Sequence, residues 1–161
     1  MIFAKALEIV LKHEGGYVND PDDAGGETNK GISKRAYPNL DIKNITDEEV
    51  ANIYKRDYWD KCSCDRLPSY LKLFVFDTAV NMGVGRAKKM LQQAVDTVVD
   101  GVVGPNTLRQ AGKVRKNYAI MNLVGLRWAR YHEIAKRGNN KKFLNGWLNR
   151  LADITKETLN D

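Results

Sequence analysis

The chain has 161 residues, enough for one domain with one hydrophobic core. A hydrophobic fraction of 43% and a charged fraction of 29% are those of an ordinary globular protein and exclude a disordered or fibrous chain. Lys and Arg number 26 against 20 Asp and Glu, a net charge of +6 that favours polyanionic partners: nucleic acid, anionic lipid and bacterial cell wall alike.

The two cysteines, Cys62 and Cys64, stand one residue apart, a poor geometry for a disulfide. With two histidines there is no cluster of zinc-ligand spacing. Reduced thiols and the absence of any metal or cofactor are therefore expected. No stretch approaches the roughly 20 apolar residues of a membrane span. Lys5 and Glu8 interrupt the apolar pattern at the start, so no signal peptide is read there. The expectation is synthesis in the cytoplasm and release to a cell wall by another component.

The elements are mostly helical. Phe3, Leu7, Val10 and Leu11 recur at helical spacing and predict an amphipathic helix over 2–13, ended by Gly15 and Gly16. Residues 17–32 are rich in Gly, Asp and Asn and read as a loop with a small β-hairpin. Thr46 and Glu49 form a capping-box pattern that opens a helix running to about Trp59. Pro68 fits the first turn of a helix that is apolar nearly all round from Leu71 to Val80, the pattern of a central buried helix. Gly83 and Gly85 break it, and a further helix covers about 86–97.

The run Asp100-Gly101-Val102-Val103-Gly104-Pro105 is a turn, with Pro105 starting a short helix. Ile120, Val124, Trp128, Tyr131 and Ala135 mark one face of a long helix over about 114–137. Phe143, Trp147, Leu151 and Ile154 mark the last one. The fold class is mainly α, with the hairpin or irregular segment at 17–32 forming one wall of a cleft.

Chemistry concentrates between His13 and Ile32. Glu14 lies four residues past Val10 and seven past Leu7, so a continued helix turns it inward onto the apolar stripe. Burial of a carboxyl group disfavours its charged form, which suits a general acid. Glycoside hydrolysis needs a second group across the bond. Asp20, Asp22 and Asp23 lie in the following loop and each could fold back, while the Thr28 hydroxyl could orient a water. Composition and spacing equally allow a solvated turn or a weak calcium loop here.

Other candidates are weighed by periodicity. Tyr17, Tyr58 and Trp59 could stack on sugar faces, and Asn81, at a helix end beside a Gly pair, could line the groove. Trp128 and Trp147 fall on apolar faces and are assigned to the core. Asp77 is expected to be buried and paired with an Arg or a helix end, and His13 to lie at the surface.

The run Glu14-Gly15-Gly16-Tyr17, with Asn19-Asp20-Pro21, Asp23, Gly25-Gly26, Thr28 and Gly31-Ile32, resembles glycoside hydrolase family 108. Phe76-Asp77-Thr78-Ala79-Val80-Asn81-Met82-Gly83 is similar to that family's second signature. Asp100-Gly101-Val102-Val103-Gly104-Pro105-Asn106-Thr107 is similar to a turn of its C-terminal half, a predicted peptidoglycan-binding region. The resemblance implies a lysozyme-like fold and N-acetylmuramidase activity, with Glu14 as the essential catalytic residue. It further implies a catalytic region at 1–96, a C-terminal helical region at 97–161, and phage lysis assisted by a holin. The phage-type lysozymes offer a looser parallel: a Glu ending the first helix, an Asp nine on and a Thr six beyond. Here Asp23 is nine past Glu14 and Thr28 five past Asp23. Peptidoglycan glycan strands are the expected partner of a monomer, with no nucleic acid and no membrane span.

Overall fold

Alternation of buried and exposed positions builds the first helix, α1 (Phe3–Leu11), which turns Ala6, Leu7, Ile9 and Val10 into the core. The computed structural model describes residues 1–19 and 26–161. Among these, the short antiparallel strands β1 (Thr28–Asn29) and β2 (Ile32–Ser33) pair Thr28 with Ser33 and Asn29 with Ile32. An isolated bridge adds Val18 opposite Thr28. The predicted hairpin is therefore present, and Lys30 and Gly31 supply its positive-φ turn.

The capping box at Thr46 forms as expected. Its side chain accepts from the Glu49 backbone N–H, and the Glu49 carboxylate accepts from the Thr46 N–H at 2.9 Å. It opens α2 (Asp47–Tyr54), whose last turn widens into a π-helical turn over Lys55–Trp59. The central helix α3 (Ser69–Met82) buries Leu71 and every residue from Leu73 to Ala79. Pro68 caps this helix instead of lying in its first turn. Gly83, at φ 89°, separates it from α4 (Val84–Ala94), which starts earlier than the periodicity suggested and contains Gly85.

Helix α5 (Pro105–Lys113) begins at its proline, as predicted. The long α6 (Lys116–Ala135) and the final α7 (Leu144–Leu159) complete the chain. The architecture is mainly helical with one small hairpin, in agreement with the class read from the sequence. α3 packs against α1, α4, α6 and α7, so the two ends of the chain meet around it. No helix of the described residues is long and apolar enough to cross a membrane.

Two tryptophans depart from expectation. Trp59 is wholly buried, edge-on to Phe3 at 5.4 Å and Phe76 at 5.3 Å, with its Nε1–H donating to Asp65 Oδ1 at 2.9 Å. No sugar can reach it, so the groove role assigned to it is corrected to a core role. Trp128, assigned to the core, is 52% exposed, because the buried stripe of α6 runs through Leu123, Arg127 and Tyr131.

Candidate active site

Glu14 follows α1 in a turn closed by its own N–H donating to the Leu11 carbonyl at 3.2 Å. Its carboxylate is largely buried but does not face apolar side chains alone. Arg150, from α7, donates from Nη1 to Glu14 Oε1 at 2.8 Å. The same guanidinium holds Asp77 of α3: Nε donates to Oδ1 at 2.9 Å, and Nη2 lies 2.7 Å from that oxygen. Arg127 of α6 completes the set, donating from Nη1 to Asp77 Oδ2 at 2.6 Å.

Asp77 and Arg127 are fully buried, so one carboxylate is shared between two guanidiniums away from water. Burial opposes the charge on Arg150. The Asp77 charge and hydrogen bond, then Glu14, outweigh it and hold its pKa above the ordinary arginine value. The network continues outward. Arg127 Nη2 donates to the Tyr131 hydroxyl at 2.6 Å, and that hydroxyl donates to Asn81 Oδ1 at 2.7 Å. Asn81, expected at the groove, is thus a half-buried acceptor at the outer end of this network, one turn past Asp77.

The hairpin forms the other side of the site. Lys30 N–H donates to the Gly15 carbonyl at 3.1 Å, next to Glu14, and Tyr54 donates to the Lys30 carbonyl at 2.8 Å. Gly31, at φ +76°, packs so closely that a Cβ there would lie 2.5 Å from the Tyr54 hydroxyl and 2.8 Å from Glu14 Oε2. Only glycine lets the turn pass this near to the carboxylate. Burial, with the Glu14 charge next, raises the Tyr54 pKa well above the ordinary phenol value. Tyr58 is raised by burial and by the Asp57 and Glu14 charges. Its neighbour Trp59 points into the core.

Thr28 sits in β1, half-buried, with its hydroxyl donating to the Gly26 carbonyl at 3.3 Å. Tyr17 is exposed and donates to Glu27 Oε1 at 3.0 Å, which raises its pKa. Asp20, Asp22 and Asp23, the candidates for the second carboxylate, lie outside the described residues. His13 is near the surface, 3.9 Å from Asp153. Cys62 and Cys64 are free, as expected, and both are buried.

Arg150, Arg127, Tyr54 and the packing role of Gly31 were not singled out from the sequence. A signal existed for the arginines. Arg127 stands four residues from both Leu123 and Tyr131, and Arg150 lies among Trp147, Leu151 and Ile154 on the apolar stripe of α7. A cation on an apolar stripe needs a buried partner. Asp77, on the central buried helix, is that partner.

A largely buried carboxylate at the end of the first helix, fixed by an arginine from the last and flanked by a hairpin, is an arrangement that suits acid catalysis. Comparison with known families agrees: residues 7–83 match glycosyl hydrolase 108 and residues 86–152 match a predicted peptidoglycan domain. The chain belongs to glycosyl hydrolase family 108. It is similar to the solved structure of SagA from Brucella abortus, with 34% identity and a TM-score of 0.82, covering 98% of this chain and 93% of that one. No curated protein sequence matches it.

Proposed function

We propose that the protein is an N-acetylmuramidase that hydrolyses the β-1,4 bond between N-acetylmuramic acid and N-acetylglucosamine in peptidoglycan. The observation that carries this reading is the position of Glu14, with Oε1 held by Arg150 and Oε2 beside Gly31 of the hairpin. Arg150 occupies Oε1, which leaves Oε2 to carry the proton that passes to the leaving glycosidic oxygen. Among the described residues no hydrogen-bond donor reaches Oε2. As the bond breaks, the sugar gains oxocarbenium character, and a second carboxylate stabilises it or activates a water. Asp23 is the candidate for that role, with Thr28 positioning the water.

Tyr17, Tyr58 and Asn81 are the candidates for holding the glycan. In this reading residues 1–96 carry the acid, and residues 97–161 supply Arg127, Tyr131 and Arg150 and add contacts to the wall. The net charge of +6 supports attraction to an anionic wall. A role in phage-induced lysis, with a holin admitting the enzyme to the wall, is the setting we infer from the family.

The test is digestion of purified peptidoglycan with mass analysis of the soluble fragments. Reducing muramic acid ends are expected. Anhydro ends, lighter by one water, would make the protein a lytic transglycosylase, and bound sacculi without fragments would make it a binding module.

A further inference from the structure

A groove of about 310 Å³ opens beside the far end of the buried network, lined by Asn81, Arg86, Arg130, Tyr131, Ile134 and Trp147. It joins the ends of α3 and α6 to the starts of α4 and α7. Through the Asn81–Tyr131 hydrogen bond it is continuous with the chain of contacts that ends at Glu14.

Its charge is out of balance. Arg130 donates to Glu133 at 2.6 Å, and Arg137 bonds to the same carboxylate. The Arg130 hydrogen bond, opposed by burial, holds the Glu133 pKa below its ordinary value. The charges of Arg130, Arg137 and Arg86 add to it. Three guanidiniums thus act on one carboxylate, and the group keeps an excess of positive charge. Among the described residues Arg130 Nε is a buried donor without a partner. On the other wall, Trp147 stacks on Tyr131 with centroids 5.4 Å apart and planes 20° apart, a flat apolar surface next to the cations.

Cations in excess beside an aromatic wall, with Arg86 exposed, suit a carboxylate carried on a partly apolar chain. The sugars of intact peptidoglycan are uncharged, because the lactyl carboxyl of the muramic acid is taken up in the amide to its peptide. The carboxylates near the scissile bond therefore belong to that peptide. We propose that this groove binds a carboxylate of the peptide stem borne by the muramyl sugar, so that the enzyme prefers glycan that still carries its stems. The inference rests on peptidoglycan being the substrate.

The experiment is calorimetric titration of full-length Glu14→Gln protein, which does not consume its ligand. The ligands are a disaccharide carrying its peptide stem, the same disaccharide after amidase removal of the stem, and inorganic phosphate. The stem is expected to tighten binding about tenfold or more, and phosphate to compete weakly. Arg130→Gln or Arg86→Gln, added to Glu14→Gln, should abolish the preference and leave binding of the stem-free disaccharide unchanged. Arg86 is exposed, so its replacement keeps the fold even if that of Arg130 does not.

Equal affinity with and without the stem, no binding of either disaccharide, or equal loss of both in the arginine variants would overturn the proposal. Tighter binding of the stem-free form would do the same by assigning the groove to the lactyl carboxylate. Wild-type protein run in parallel on sacculi separates the two levels. Fragments released without any stem preference sink only this inference, whereas no fragments at all sink the muramidase reading.

Discussion

Glu14, Gly31 and Tyr54 occupy a space in which no side-chain carbon can be added at position 31. An alanine there would put its Cβ 2.8 Å from Glu14 Oε2 and hold an L residue at φ +76°. Both effects act together: backbone strain of about 1–3 kcal/mol and displacement of either the carboxylate or the Tyr54 hydroxyl. Gly31→Ala is expected to lower Tm by several degrees and kcat by about tenfold or more. Thermal unfolding alongside reducing-end release checks this. A wild-type kcat in the variant would mean that the hairpin does not set the position of Glu14. This contact was not legible in the sequence. The Glu-Gly-Gly-Tyr run marked Glu14 and composition marked a hairpin, but neither says that Gly31 of the turn backs onto the Glu14 carboxylate.

At the scale of elements, helix boundaries followed local chemistry. The capping box fixed the start of α2, Pro105 the start of α5, and the apolar run of α3 its burial. What stayed hidden was the π turn after α2, which sets Tyr58 and Trp59 on opposite sides of the chain. Periodicity treats neighbouring aromatics alike, whereas the tertiary pocket between Phe3 and Phe76 selects Trp59.

The same turn carries Asp57, where the Arg56 hydrogen bond, opposed by partial burial and helped by Tyr37 and Lys61, holds the carboxyl well below the usual range. A depressed folded pKa contributes stability that is present above the unfolded value, about 4, and lost as pH falls through the folded one. Tm of the wild type should therefore drop below about pH 4 more steeply than that of Asp57→Asn. The variant should be the less stable at pH 7 and the two should converge in strong acid. Parallel curves by calorimetry across that range would contradict the assignment.

For the molecule as a whole, the buried charges matter more than any surface pair. Asp77 was expected to pair with an Arg or a helix end. In the structure it finds two arginines, from α6 and α7, and so ties the C-terminal half to Glu14 of the N-terminal half. The sequence could not supply this pairing, because it joins residues 50 and 73 positions apart.

Removing one partner of a buried ion pair leaves uncompensated charge. Asp77→Asn is expected to cost about 3–5 kcal/mol, about 10 °C in Tm, and to lower activity further as Arg150 loses its anchor. Denaturant unfolding measures the first effect, and a loss below 1 kcal/mol would mean that water reaches the pair.

The most direct measurement is the rate of reducing-end release from purified peptidoglycan by the wild type and by Glu14→Gln, with the Tm of both recorded. Arg150 keeps Asp77 in the variant, so the fold should persist with Tm changed by only a few degrees. The rate should fall by about 10²–10⁴-fold, the usual contribution of a general acid. A folded Glu14→Gln protein that cleaves at the wild-type rate would contradict the account at its centre.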